Sequence, residues 1–176
     1  MADCIFCDPD KLKPRCITTF PGVNVVVTLG QITEGGYILL IPTTHASCLG
    51  ALDKEQITSF DRIVKKSVAL LKLEYLEPVT IFEHGIVGQT IKHAHLHLLP
   101  TKLNLTEKIV SDFSSSKIEV VENLTQLQAL YQIRQEPYLL WSTYNGKYLV
   151  CWNPPAPAQY LRTISAELLG VPERAN

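Results

Sequence analysis

The sequence predicts an α+β fold: antiparallel strands with one long helix, followed by a C-terminal α/β appendage. Three observations predict it. Short β-branched or apolar runs bounded by glycine and proline recur along the first hundred residues. A single segment beginning at Asp53 carries apolar residues at sustained helical spacing. Near the C-terminus, Asn145-Gly146 stands between two further apolar runs, a hairpin signature.

In chain order, Val23 to Leu29 reads as a strand between Pro21-Gly22 and Gly30. Gly35-Gly36 turns the chain into a second strand, Tyr37 to Ile41, stopped by Pro42. Asp53 caps the long helix, with Gln56 as its capping-box partner. Ile57, Phe60, Ile63, Val64, Ser67, Val68 and Leu71 form its apolar face, and Pro78 closes the region. Val79 to Phe82 reads as a strand, His84-Gly85 and Gly88 as a loop, and Thr90 to Leu99 as another strand. Ser114-Ser115-Ser116 marks a loop and a soft boundary. It separates a first domain, 1–112, from an appendage, 113–176, of hairpin and helices packed on it. Within the appendage, Leu124 to Ile133 reads as a helix, and Tyr138 to Trp141 and Lys147 to Trp152 as the hairpin strands. A last helix runs from about Gln159 to Leu169, with Gly170 to end it and Pro172 beyond.

Composition narrows the function classes. The 176 residues are 46% hydrophobic and 19% charged, typical of a soluble globular chain. The net charge of −1 gives no indication of bulk binding to nucleic acid or anionic lipid, although a local basic patch remains compatible with it. Apolar stretches such as Tyr37 to Pro42 are far too short to span a bilayer. Met1-Ala2-Asp3-Cys4 shows no basic region followed by an apolar run, so no export signal is read. With five cysteines and no such signal, a reducing cytoplasm is expected rather than a disulfide framework.

The chemistry concentrates at His93-Ala94-His95-Leu96-His97. On a strand these three imidazoles line one face, with Ala94, Leu96 and Leu98 on the core side. Histidines so placed supply a nucleophile, a proton donor or metal ligands at neutral pH. Upstream, Gly85 and Gly88 allow backbone amides to approach a phosphate, and Gln89 and Thr90 add uncharged hydrogen-bonding groups.

The run from Gly88-Gln89-Thr90 through His93-Ala94-His95-Leu96-His97 to Pro100 closely resembles the signature of the histidine triad (HIT) superfamily. Gly35 to Ile41 and Pro42-Thr43-Thr44-His45 resemble the same family's strand ending in Pro-x-x-His, and the resemblance covers about residues 3 to 102. It implies a HIT-like antiparallel sheet and a nucleotidyl hydrolase or transferase acting on a small-molecule nucleotide. His95 would attack the α-phosphorus to form a covalent nucleotidyl-histidine. His97 would help hold the phosphate and leaving group, and Gly88, Gln89 and Thr90 would make phosphate-side contacts. Many members are homodimers through the helix or an adjacent strand. No organic cofactor is expected.

Two departures affect substrate choice. Where the family commonly has an Asp or Asn for the ribose hydroxyls, this chain has Thr28, a weaker ribose contact. The loop before Gly88-Gln89 reads Glu83-His84-Gly85-Ile86-Val87, without the usual Asn or Asp and one residue short. Phe6, Phe20 and Tyr37 are candidates for a base pocket, and Phe6 is carried as a substrate-side residue. His84 is read either as reaching the site or as solvated.

Cys4-Ile5-Phe6-Cys7 is compatible with zinc or redox chemistry. Its place before Asp8-Pro9, rather than opening a helix after a strand, argues against redox. Some branches of the family complete a zinc site with the His of Pro-x-x-His and the first triad histidine. That resemblance implies a structural zinc on Cys4, Cys7, His45 and His93. Cys16, Cys48 and Cys151 read as small buried hydrophobes. An alternative of another class is a HIT-type nucleotide- or nucleic-acid-binding module. Its surface would be the hairpin aromatics Trp141, Tyr144, Tyr148 and Trp152, which equally suit the appendage's own core.

Overall fold

Among residues 4–175, which the computed structural model describes, eight strands form one antiparallel sheet. The strands are β1 (Cys16–Phe20), β2 (Val23–Val27), β3 (Ile38–Pro42), β4 (Thr80–Gly85), β5 (Leu96–Leu99), β6 (Lys117–Val121), β7 (Tyr138–Ser142) and β8 (Tyr148–Trp152), in the order β1-β2-β3-β5-β4-β7-β8-β6. The helices are α1 (Pro9–Leu12), α2 (Lys54–Tyr75), α3 (Leu105–Asp112), α4 (Leu124–Arg134) and α5 (Tyr160–Leu168). No helix of the described residues is long and apolar enough to cross a membrane. Apart from Cys4, the tetrapeptide read for an export signal lies outside the described residues.

Strand alternation divides the apolar residues between two cores. Ile38, Leu40, Leu96, Leu98, Tyr138 and Leu140 face α2 and α4 on one side. Leu39, Ile41, Phe82, Leu139 and Trp141 face α3, α5 and the N-terminal segment on the other. The capping box at the start of α2 is formed: Asp53 Oδ1 accepts from Gln56 N at 2.8 Å, and Gln56 Oε1 accepts from Asp53 N at 3.0 Å. Gly170, at φ +73°, ends α5. Its N–H donates to Glu167 O at 3.0 Å and the Val171 N–H to Ala166 O at 2.9 Å, the paired bonds of a Schellman cap.

The histidine strand is shorter than the alternation predicts, since β5 begins only at Leu96. The ladder with β3 runs through Leu40↔Leu96, and continuing it would set Ala94 opposite Pro42, which has no N–H. Ala94 N bonds Ala46 O instead, at 2.7 Å. Gly85 is not in a loop but is the last residue of β4, opposite Tyr138. A Cβ there would overlap the Tyr138 ring, so the glycine serves close approach. The hairpin turn is also longer than two residues. Thr143 N bonds Lys147 O, and of the turn residues only Gly146 takes a positive φ, +81°. That is a three-residue loop with glycine in the left-handed position.

The sheet is continuous across the soft boundary, because β7 pairs with β4 from Phe82↔Trp141 to Gly85↔Tyr138. Trp141, Tyr148 and Trp152 are buried, and only Tyr144 is exposed. These aromatics therefore build a core rather than a stacking surface.

Candidate functional site

The Cys4-to-Cys7 turn, the loop after β3 and the lead-in to β5 meet at one place. Cys7 Sγ lies 3.2 Å from His45 Nδ1 and 3.4 Å from His93 Nδ1, and Cys4 Sγ lies 3.4 Å from His93 Nδ1. All four ligand atoms fall within 4.8 Å of one another. Zn–S and Zn–N bonds of about 2.3 and 2.0 Å in a tetrahedron place S and N about 3.5 Å apart, so the spacing fits that ion. His93 Nε2 donates to the Pro42 carbonyl at 2.8 Å, which leaves Nδ1 as the lone-pair nitrogen facing the sulfurs. The quartet is thus suited to hold a metal against the start of the histidine segment.

Two residues on, His95 Nδ1 lies 2.6 Å from the His93 carbonyl oxygen. A carbonyl can only accept, so the proton is on Nδ1 and the Nε2 lone pair is free for attack. Burial pushes the His95 pKa from 6.5 to about 4, outweighing the bond to His93, so the ring is neutral at pH 7. Phe6 packs edge-on to both His93 and His95, with centroids 5.8 and 5.2 Å away.

His97 lies on the same sheet face, its ring 5.0 Å from that of His95. It stacks on Phe82 at 4.4 Å, the residue directly opposite it on β4. Its Nδ1 meets Tyr37 Oη at 2.6 Å, while its Nε2 is buried without a hydrogen-bond partner among the described residues. Burial holds its pKa well below 6.5, with further help from His95, His84 and Arg162. His84 is buried, not solvated: its ring is 5.8 Å from that of His97, and its Nε2 accepts from Leu161 N at 3.0 Å. Burial drives its pKa from 6.5 down to about 3.

The neighbouring Glu83 projects to the opposite face. Its carboxylate oxygens accept from Leu49 N and Tyr138 Oη, both at 2.7 Å. Burial nevertheless raises its pKa from 4.5 to about 7.

The remaining candidates fall as follows. Gly88, at φ +73°, presents its carbonyl to Gln159 N at 2.8 Å and so docks the triad loop on the segment entering α5. Gln89 Nε2 donates to Ser47 O at 2.8 Å, and Thr90 is exposed. The Thr28 hydroxyl serves its own loop, donating to Gly30 O and accepting from Gln31 Nε2. Phe20 packs on the other core, beneath Lys66, away from the histidines. Cys48 and Cys151 are buried, and Cys16 is half-buried. A groove of about 890 Å³ between α2 and the 142–146 turn contains none of the histidines. Chemistry, not cavity size, locates the site.

Sequence reasoning passed over Arg162, and it named Tyr37 only as a base-pocket aromatic. Arg162 is 8% exposed, and its guanidinium donates to the carbonyls of Ala175, Gly30 and Arg174 at 2.7, 3.1 and 3.0 Å. A lone arginine on a short amphipathic helix carries no local signal of burial.

A family description, HIT domain, matches residues 15–104. An uncharacterized HIT-like protein of Methanocaldococcus jannaschii is 24% identical over 100 residues, covering 55% of this chain and 78% of the relative. The crystal structure of a HIT family protein from Bacillus anthracis aligns with TM-score 0.51 and 27% identity over 58% of this chain and 75% of that one. A DUF4931 family protein from Bacillus cereus aligns over 79% of this chain and 84% of its own, with TM-score 0.55 and 16% identity. This last likeness concerns the fold.

Proposed function

Because the chain belongs to the HIT family, we propose that it is a nucleotidyl hydrolase or transferase in which His95 is the nucleophile. The observation that carries this reading is the hydrogen bond from His95 Nδ1–H to the His93 carbonyl. It orients a neutral imidazole with Nε2 free, the form an attacking histidine requires. In the first step an Nε2–P bond forms at the α-phosphorus and the bond from phosphorus to its leaving group breaks. The imidazolium that results is stabilised through Nδ1–H by the same carbonyl. In the second step water, or another acceptor, attacks phosphorus, the N–P bond breaks, and His95 returns to its neutral form.

The quartet Cys4, Cys7, His45 and His93 is proposed to hold a zinc ion with a structural role. Bound there, the ion would supply rigidity to the His93 backbone, whose carbonyl orients His95. Within this chain α4 packs on α2, and β7 pairs with β4. We read the site as complete in one copy, in a cytoplasmic protein.

Intact-protein mass spectrometry tests the chemistry. The protein is incubated with nucleoside polyphosphates, phosphoramidates and nucleotide sugars and quenched at alkaline pH. A nucleotide-sized adduct, absent in His95→Ala, is expected, and products formed with added acceptors separate transfer from hydrolysis. Undiminished turnover in His95→Ala would remove the reading.

A further inference from the structure

The surroundings of Tyr37 decide which nitrogen of His97 carries its proton. Tyr37 is fully buried, and its phenol lies 2.6 Å from His97 Nδ1. The Arg162 guanidinium lies over the same ring, 5.5 Å from its centroid. It is held there by three backbone carbonyls contributed by the loop after β2 and the C-terminal turn. A guanidinium has only donors, so toward the phenol oxygen Arg162 can donate but never accept. Burial pushes the phenol's pKa far up even against that neighbouring charge, so Tyr37 keeps its single proton. That proton has His97 Nδ1 as its acceptor. Nδ1 must then be the lone-pair nitrogen, and the proton of the neutral ring sits on Nε2. Nε2 is the same buried atom that has no partner among the described residues. An N–H left unpaired in a protein interior is costly, and such a group calls for an acceptor from outside the chain.

We propose that Arg162, acting through Tyr37, is a positioning residue that locks His97 in its Nε2–H tautomer. The second catalytic imidazole is thereby a fixed hydrogen-bond donor beside the nucleophilic His95, matched to an anionic phosphoryl or leaving-group oxygen. The oxygen it serves rests on the nucleotide reading above; the tautomer does not. The device joins the two parts of the chain. The donor is set by α5, and the same helix start holds His84 through Leu161 N and receives the Gly88 carbonyl through Gln159 N. His97 is then unsuited to act as a base through Nε2.

Long-range proton–nitrogen NMR on histidine-labelled, metal-loaded protein reads the tautomer directly. In the wild type, Nε2 of His97 is expected to show the protonated, pyrrole-type shift and Nδ1 the unprotonated, pyridine-type shift. In Tyr37→Phe the two nitrogens are expected to move toward averaged values. Arg162→Ala removes several buried hydrogen bonds and can unfold the chain, so Tyr37→Phe and Arg162→Lys carry the comparison. Single-turnover nucleotide transfer to His95 should slow about tenfold in Tyr37→Phe with KM nearly unchanged, as for loss of a donor to developing charge. A wild-type His97 protonated on Nδ1, or a Tyr37→Phe spectrum identical to wild type, overturns the proposal. An Nε2–H tautomer in a protein that labels with no nucleotide leaves the proposal standing and removes the nucleotide reading. A nucleotide adduct with His97 protonated on Nδ1 does the reverse.

Discussion

Glu83 and His84 are neighbours on β4 whose protonation opposes one another, and Glu83→Gln should expose the balance. The Glu83 carboxyl titrates near 4.5 when unfolded and near 7 in its buried site. Its pKa is raised, so its contribution is fully present below pH 4.5 and is lost as pH rises to 7. At about 1.4 kcal/mol per pH unit, that loss is about 3 kcal/mol. His84 falls from 6.5 to about 3, so its contribution is present above pH 6.5 and is lost as pH falls. Taken from pH 8 to pH 5, Glu83 returns about 2 kcal/mol while His84 loses about 2 kcal/mol, and the two nearly cancel. His95 and His97 add to the acid-side loss equally in wild type and variant. Urea unfolding at pH 8 and pH 5, at one metal loading, therefore measures Glu83 as a difference of differences. Glu83→Gln should lose about 2 kcal/mol more than wild type across that interval, on top of a constant offset from its altered bond to Tyr138. A variant that tracks wild type at a fixed offset would mean that Glu83 stays ionised throughout, and the burial reasoning would fail.

Two further outcomes are expected. Chelation should release one divalent ion per chain and lower stability by about 3 kcal/mol relative to protein held with metal about a hundredfold above its Kd. Cys7→Ser should abolish that difference, and an unchanged urea midpoint after complete metal loss would show the quartet to be incidental. Gly88→Ala places a Cβ in a residue at φ +73°, 2.8 Å from the Pro157 carbonyl oxygen and 3.1 Å from the His84 ring. It should destabilise by about 2 kcal/mol and slow nucleotide transfer, as read by calorimetry and adduct formation, through displacement of the α5 start from the histidine loop.

The sequence by itself determined what local rules govern. The alternation of Ala94, Leu96 and Leu98 with the histidines sorted side chains between two faces, because a strand's period is 2 wherever its partner lies. Asp53 with Gln56 and Gly170 set helix ends because caps are closed by residues a few positions away. The eight-residue α3 and the edge strands β1 and β6 escaped notice, being short and only partly buried. Only the tertiary structure decided what depends on distant partners. The histidine strand begins only at Leu96 because Pro42, which has no N–H, would face Ala94 two positions further along the ladder. His84 is buried against the triad because Leu161, 77 residues away, donates to it. The tautomer of His97 is set by Tyr37, 60 residues upstream, and by Arg162, itself anchored to Gly30 across 132 residues. A hydrogen bond between residues so far apart leaves no spacing or period in the chain. It exists because β7 pairs with β4 in one sheet and the C-terminal segment brings α5 onto the histidine face.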